Sequence, residues 1–208
     1  YDHLVIASGA RNRLLSLPGS NLQGVHGIKT RQDADVLKPL LTSMKKIAVI
    51  GAGFIGLEFA AVAAAQGVEV HVIELGERPM QRAISAQMSE IFRLAHEESG
   101  VNFHFNTGVS ALESDSDKVS LLVTSEGVSI EVDRVIYGIG VIPNVEIASD
   151  AGLTVENGIV VDEMLLTSDQ NISSLGDAAN FPCKYFNGER LRLESVQNAV
   201  DQARTIAA

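Results

Sequence analysis

The stretch that decides the fold is Lys46 to Glu74, KIAVIGAGFIGLEFAAVAAAQGVEVHVIE. A short apolar run, Ile47-Ala-Val-Ile50, leads into Gly51-Ala-Gly53-Phe-Ile-Gly56. An Ala-rich helix-forming segment follows, and a second apolar run, Val68 to Ile73, ends in Glu74. The order is strand, glycine turn, helix, strand, acid. Gly51 permits the tight turn out of the first strand, Gly53 lets an approaching group reach the backbone, and Gly56 lets helix pack closely on strand. Unpaired N–H groups at the helix start and the helix dipole together favour a phosphate.

In this context the glycines form the fingerprint of a dinucleotide site, which a bare G-x-G-x-x-G does not establish. Glu74 stands about twenty residues beyond Gly51, where a carboxylate accepts hydrogen bonds from the adenosine ribose. That favours NAD, because a 2′-phosphate would meet a like charge. Arg78 and Arg82 qualify the preference. Either reaches a 2′-phosphate if the loop curls back, or else is solvated or pairs with Glu74 or Glu77.

Outward from this unit the pattern remains α/β. Tyr1–Ala7 reads as a strand ending in Ser8-Gly9. Thr30 to Met44 reads as a helix capped by Thr30, with Ala34, Leu37, Leu40 and Leu41 on one face. Ser85 to Ser99 reads as another, with Met88, Ile91, Phe92 and Ala95 at helical spacing and Gly100 as its stop. Val101 to Phe105 is a third strand, with Phe103 and Phe105 on one face. Val109–Leu112, Val119–Thr124 and Val128–Val132 form a β-meander, which replaces a crossover helix before the strand Arg134–Tyr137. Ile159–Val161 and Ile172–Leu175 are later short strands, and Glu194 to Ala208 is helix-like. The expected domains are 29–143 for the nucleotide and 1–28 with 144–208 as part of a second domain into which it is inserted.

Composition excludes several classes. The chain has 208 residues and a formal net charge of −10, a poor match for nucleic acid or an anionic membrane, both of which need clustered Lys and Arg. The longest apolar stretch, Phe54 to Ala65, is too short to span a bilayer and carries Glu58. Cys183 is the only cysteine, so no internal disulfide, Cys-based zinc site or dithiol chemistry is available, and a reducing cytoplasm is expected. His71, His96 and His104 lack metal-ligand spacing and are expected to be structural or on the surface. No acid–base or nucleophilic triad and no metal site is expected. The chain opens on Tyr1 within a strand, which suggests a piece of a longer polypeptide.

With these motifs in order, the chain resembles the pyridine nucleotide-disulfide oxidoreductase superfamily, FAD flavoproteins with two Rossmann-like domains. The resemblance spans essentially the whole sequence. It implies that Ser8 and Gly9 end a strand running along FAD, and that Asp177, in Ser174-Leu-Gly-Asp177-Ala-Ala, binds a ribityl hydroxyl. It implies that Gly138-Ile139-Gly140 with Pro143-Asn144 lies near the nucleotide, alongside Gly51, Gly53, Phe54, Ile55 and Gly56. Glu58 would orient the nicotinamide; the alternative is a surface helix acid paired with a distant Lys, but its apolar surroundings favour a position off the solvated face. Glu194 to Asn198, Val196 included, would approach the flavin ring or the nicotinamide.

Phe54-Ile-Gly-Leu-Glu58-Phe and Leu193-Glu-Ser-Val196-Gln-Asn198 most resemble the ferredoxin, putidaredoxin and rubredoxin reductases. These imply an NAD(P)H-dependent flavoprotein reductase that moves hydride from NADH to FAD, then electrons to a ferredoxin or rubredoxin partner, and they allow a homodimer. The family's first glycine fingerprint, for FAD, and its C-terminal domain have no counterpart here. The chain alone is therefore expected to bind NAD(H) weakly and turn over little. Two rivals are an NADH oxidase or disulfide reductase with its cysteine upstream, and a non-catalytic NAD-binding sensor, against which the flavin-type motif at Asp177 argues.

Overall fold

The computed structural model describes residues 1–208, which divide into two compact units. One comprises 12–140; the other comprises 1–11 and 141–208, so the first interrupts the second in sequence.

The 12–140 unit is built on a five-stranded parallel sheet in the order Val25–Gly27, Arg134–Tyr137, Lys46–Ile50, Glu69–Ile73, Val101–His104. Its central strands are continuous apolar runs because both faces are covered. Ile47, Val49, Val70, Val72 and Ile136 pack with Leu57, Ala60 and Ala63 of the Phe54–Ala65 helix. Ala48, Ile73 and Val135 pack on the other face against Leu112, Val119 and Leu122 of an antiparallel meander, Val109–Asp115, Lys118–Thr124 and Ser129–Glu131. As expected, the meander stands where a crossover helix would, and Arg134–Tyr137 rejoins the parallel sheet.

Several boundaries differ from the sequence expectation. Val25–Gly27 pairs in parallel with Val135–Tyr137, so residues 12–28 group with the five-stranded sheet and not with the second unit. The α-helix capped by Thr30 ends at Leu37 and continues as 3-10 helix Lys38–Ser43. Pro39 lacks the N–H that an α-helical turn would use there. The capping box is complete: Asp33 N–H donates to Thr30, and Thr30 N–H donates to Asp33. The Ala86–Glu98 helix begins at its Ser85 cap. However, Met88, Ile91 and Ala95 are exposed, and the helix buries Ser89 instead. Its packed side runs through Ser89, Arg93 and His96, whose Nε2 lies 3.2 Å from the Leu57 carbonyl. The rings of Phe103 and Phe105 stack with centroids 4.9 Å apart.

Asp133 stitches the sheet just before its central crossing. One carboxylate oxygen accepts the N–H groups of Lys45 (2.8 Å) and Lys46 (3.0 Å). Burial pushes this carboxyl up, but those backbone donors, with the Lys118 and Arg134 charges, outweigh burial and hold its pKa below the ordinary value. A lowered folded pKa means stability that is present above the unfolded value of about 3.9 and is lost as pH falls through the folded one. Asp133→Asn is expected to cost about 1 kcal/mol at neutral pH. It should also flatten the loss of stability below about pH 4, measured by urea unfolding across pH; an unchanged acid limb would refute the role.

In the other unit, Leu4–Ile6 pairs in parallel with Ile172–Ser174, and Gly158–Val160 lies between Val155–Glu156 and Ala179–Pro182. Ile6, Ala148, Leu153, Ile159 and Ile172 form its main core. The final helix, Val196–Ala207, is capped by Ser195. Within the 12–140 unit the ends of the segment meet: Arg13 N–H donates to the Gly140 carbonyl at 3.0 Å. No helix of the chain is long and apolar enough to cross a membrane.

Candidate functional site

Sheet register brings the fingerprint residues together. Tyr137 is in register with Ile50, and Ile50 with Ile73. Gly138, Gly51 and Glu74 therefore follow the ends of three adjacent parallel strands, at the carboxyl edge where α/β sheets take their ligands. The ladder runs one step further, with Gly138 N–H on Ile50 O (3.0 Å) and Gly51 N–H on Ile73 O (2.9 Å).

Each glycine of this edge has a distinct reason. Gly51 has a φ of +99°, and a Cβ there would lie 2.7 Å from the Gly138 carbonyl oxygen. A Cβ on Gly56 would lie 2.2 Å from the Gly51 carbonyl oxygen, and one on Gly138 would lie 3.6 Å from Gly56 N. The two glycine elements are thus packed backbone on backbone. Gly53 and Gly140 are the opposite case: a Cβ on either meets nothing within 4 Å. Gly53 is also the N-cap of the Phe54–Ala65 helix, with no side-chain cap and no acid in its first turn. An uncapped, acid-free helix start behind an open glycine fits a pyrophosphate. Ile139 packs against the meander side of the core.

Glu74 is half-buried and both its oxygens are engaged. Oε2 accepts from Ala52 N–H at 2.7 Å and Oε1 from Gly76 N–H at 2.8 Å. It therefore holds the middle of the glycine turn. Arg78 neither pairs with an acid nor projects into solvent, contrary to expectation. Its guanidinium donates to the carbonyls of Ile84 and Gln81 (both 3.0 Å) and to Ser89 Oγ (2.6 Å). Arg82 is exposed and makes no hydrogen bond or ion pair within the chain. Phe54, Ile55 and Glu58 are exposed on the same helix. The expected position of Glu58 off the solvated face is not observed; Leu57, Phe59 and Ala60 carry the packing and leave Glu58 on the outer face.

In the second unit Ser8 and Gly9 are clasped to Asn144. Ser8 Oγ donates to the Asn144 carbonyl (2.6 Å), Asn144 Nδ2 donates to the Ser8 carbonyl (2.8 Å), and Asn144 N–H donates to the Gly9 carbonyl (2.9 Å). Gly9 has a φ of +67° and open space where a Cβ would stand. Asp177 sits half-buried in a 3-10 turn, Gly176–Ala178, following the Ile172–Ser174 strand. The turn is held by two side chains: buried Gln202 accepts Gly176 N–H (2.7 Å), and Arg192 donates to the Asp177 carbonyl (3.2 Å). Val196 is 82% exposed at the start of the last helix. Open space at Gly9 and a half-buried acid at a strand's carboxyl end fit a flavin nucleotide's sugar and phosphates.

Sequence reasoning passed over Gln202, Asn144's clasp and Ser89. A polar residue four positions after Asn198 on the inner side of a helix was the available signal for Gln202. His71 and His104, expected to be structural or on the surface, meet across strands with ring nitrogens 3.0 Å apart. No group of three metal-ligating side chains forms. Cys183 is a half-buried free thiol.

A family model described as pyridine nucleotide-disulphide oxidoreductase matches residues 1–203. Rhodocoxin reductase of Rhodococcus erythropolis is 51% identical over 208 residues, covering all of this chain and 48% of that protein. Rubredoxin-NAD(+) reductase of Pseudomonas putida is 38% identical, over all of this chain and 54% of that protein. The crystal structure of a ferredoxin reductase from Rhodopseudomonas palustris superposes with a TM-score of 0.97 at 47% identity, covering all of this chain and 51% of that one. The chain spans about half the length of the curated relatives it matches.

Proposed function

Since the chain belongs to the pyridine nucleotide-disulphide oxidoreductase family, we propose that it carries the NAD(H) site and part of the FAD site of a flavoprotein reductase. Its reaction takes hydride from NADH to FAD and delivers electrons to a ferredoxin- or rubredoxin-type acceptor. The observation that carries this reading is the row Gly138, Gly51, Glu74 at the ends of register-aligned strands, with open space at Gly53 beside an uncapped helix start.

In this reading residues 12–140 are the nucleotide domain, and 1–11 with 141–208 part of the flavin domain. Gly51, Gly53, Phe54, Ile55 and Gly56 receive the pyrophosphate, and Glu74 the adenosine ribose. Arg82 lies free to meet a 2′-phosphate. Glu58, exposed on the helix after the turn, orients the nicotinamide end, with Gly138, Ile139 and Gly140 beneath the nucleotide. Ser8, Gly9, Asp177 and Val196 contact FAD. When bound, the nicotinamide supplies the hydride and the flavin accepts it. The chain's own work is to bind, align and keep water out. No side chain needs to move a proton.

The names of the relatives, one a rubredoxin reductase and one a ferredoxin reductase, support an acceptor of that type. We further propose a cytoplasmic location, a homodimer as the assembly to be tested, and weak NADH binding with little turnover for residues 1–208 alone.

The test is to purify the intact protein, record its visible spectrum and add NADH, then NADPH, without oxygen. Flavin bands bleached much faster by NADH are the expected result. Preference for NADPH would mean that Arg82 overrides Glu74. A colourless protein that binds NADH but takes up no FAD would replace this reading with that of an NAD-binding sensor. Rapid reoxidation by O₂ with no transfer to ferredoxin or rubredoxin would make it an oxidase.

A further inference from the structure

The loop after Glu74 is tied to the glycine turn at both of Ala52's backbone groups. Ala52 N–H donates to Glu74 Oε2, and Ala52 O accepts Met80 N–H at 2.9 Å. Met80 is a buried residue with φ +50°, a conformation that costs energy for any residue with a Cβ. Something must hold it there. Immediately before it, the Pro79 carbonyl accepts a short hydrogen bond from Ser89 Oγ. Immediately before that, Arg78 donates to the same Ser89 oxygen and closes onto the Ile84 and Gln81 carbonyls. Ser89 is 1% exposed and lies on the Ala86–Glu98 helix. A hydroxyl buried on an otherwise exposed amphipathic helix needs partners, and it finds both in this loop.

We propose that Ser89 and Arg78 are positioning residues for the dinucleotide turn. They clamp the 78–84 loop in the one shape that keeps Met80 N–H on Ala52 O, and so preset the turn before nucleotide arrives. Neither side chain touches the ligand. The clamp acts through Met80 and Ala52 on the adenosine and pyrophosphate end only. The guanidinium's planar fork matters, since it bridges two carbonyls and a hydroxyl at once, which an ammonium on a flexible stem does not reproduce. The proposal rests on the nucleotide-site reading above.

The test uses the intact protein and measures dissociation constants for NADH and for ADP-ribose, which shares the adenosine and pyrophosphate but lacks nicotinamide. Ser89→Ala and Arg78→Lys are each expected to weaken both ligands by the same factor, about tenfold. Amide exchange at Met80 should accelerate while exchange in the Lys46–Ile50 strand stays slow. Val101→Ala, a core truncation outside the clamp, serves as the stability control. If it weakens both ligands as much at matched loss of thermal stability, the clamp has only a structural role and the proposal fails. It fails equally if both clamp variants bind like the parent, or if only NADH and not ADP-ribose is weakened. Should Ser89→Ala not fold, Arg78→Lys decides alone. An unaltered protein that binds neither ligand would instead remove the nucleotide-site reading, a result distinct from any of these.

Discussion

Gly53→Ala is expected to cut nucleotide affinity sharply while leaving the fold intact, and Gly56→Val to act on the fold itself by destabilising it. The two glycines lie three residues apart in one turn, but their surroundings are opposite. At Gly53 the backbone φ of −80° suits any residue, and a Cβ meets no protein atom within 4 Å. Its stability cost is about 0.5 kcal/mol, the ordinary N-cap difference. The added methyl occupies the space a pyrophosphate would use, so NADH affinity should drop by about 100-fold, or ~2.7 kcal/mol. At Gly56 a Cβ would lie 2.2 Å from the Gly51 carbonyl oxygen and 3.3 Å from Val49 Cγ1. The first of these is backbone and cannot turn aside, so the helix would have to lift off the strand. Replacing helical Gly by Val normally gains only about 0.3 kcal/mol; here the clash wins, and about 3 kcal/mol of net loss is expected. Urea unfolding and NADH titration of both variants check the pair. A Gly53→Ala protein that binds NADH normally would mean the open space at Gly53 is not the phosphate site.

Glu74→Ala is the second large effect, because this side chain has two jobs. The Ala52 backbone, almost fully buried, loses the acceptor for its N–H, and Gly76 N–H loses its own. Stranding one buried donor costs about 1–3 kcal/mol, and NADH binding should fall with the turn that Glu74 holds. Glu74→Gln separates the jobs. Its amide keeps one acceptor oxygen but presents an NH₂ group to the second donor, and it removes the charge that a 2′-phosphate would meet. The ratio of NADPH to NADH affinity should rise by about tenfold, since relieving a like-charge contact is worth roughly 1.4 kcal/mol. The exposed, unpartnered Arg82 stands ready to add to it. If the ratio is unmoved in Glu74→Gln while stability falls, Glu74 is only a backbone tether.

What the sequence made legible was local or strictly periodic. The glycine turn, Thr30 and Ser85 as caps, the meander and Glu74 as a terminal acid each depend on neighbours within a few residues or on strand alternation. The misses share one cause: they depend on which remote element arrives alongside. Val25–Gly27 is too short to announce a parallel strand and is identified only by Arg134–Tyr137 beside it. Glu58 sits in an apolar stretch, yet a helix packed on one side leaves every fourth residue outside. Met88 and Ile91 mark an apolar stripe that the sheet does not use, since the buried position is Ser89. Likewise the sequence allows Arg78 as a 2′-phosphate ligand, a solvated charge or a partner of Glu74 or Glu77, because its actual carbonyl partners carry no side-chain signature.

The hydrogen bond from Arg13 to Gly140 has an evolutionary corollary. A segment of this size whose two ends are clasped, at Arg13 and Gly140, presents its host with a gap no wider than a tight loop. Loop-closure entropy grows only slowly with length, so the host's folding is nearly indifferent to what fills that gap. Such a segment is portable. Loop closure alone therefore sets no barrier to gaining, losing or exchanging it as a cassette.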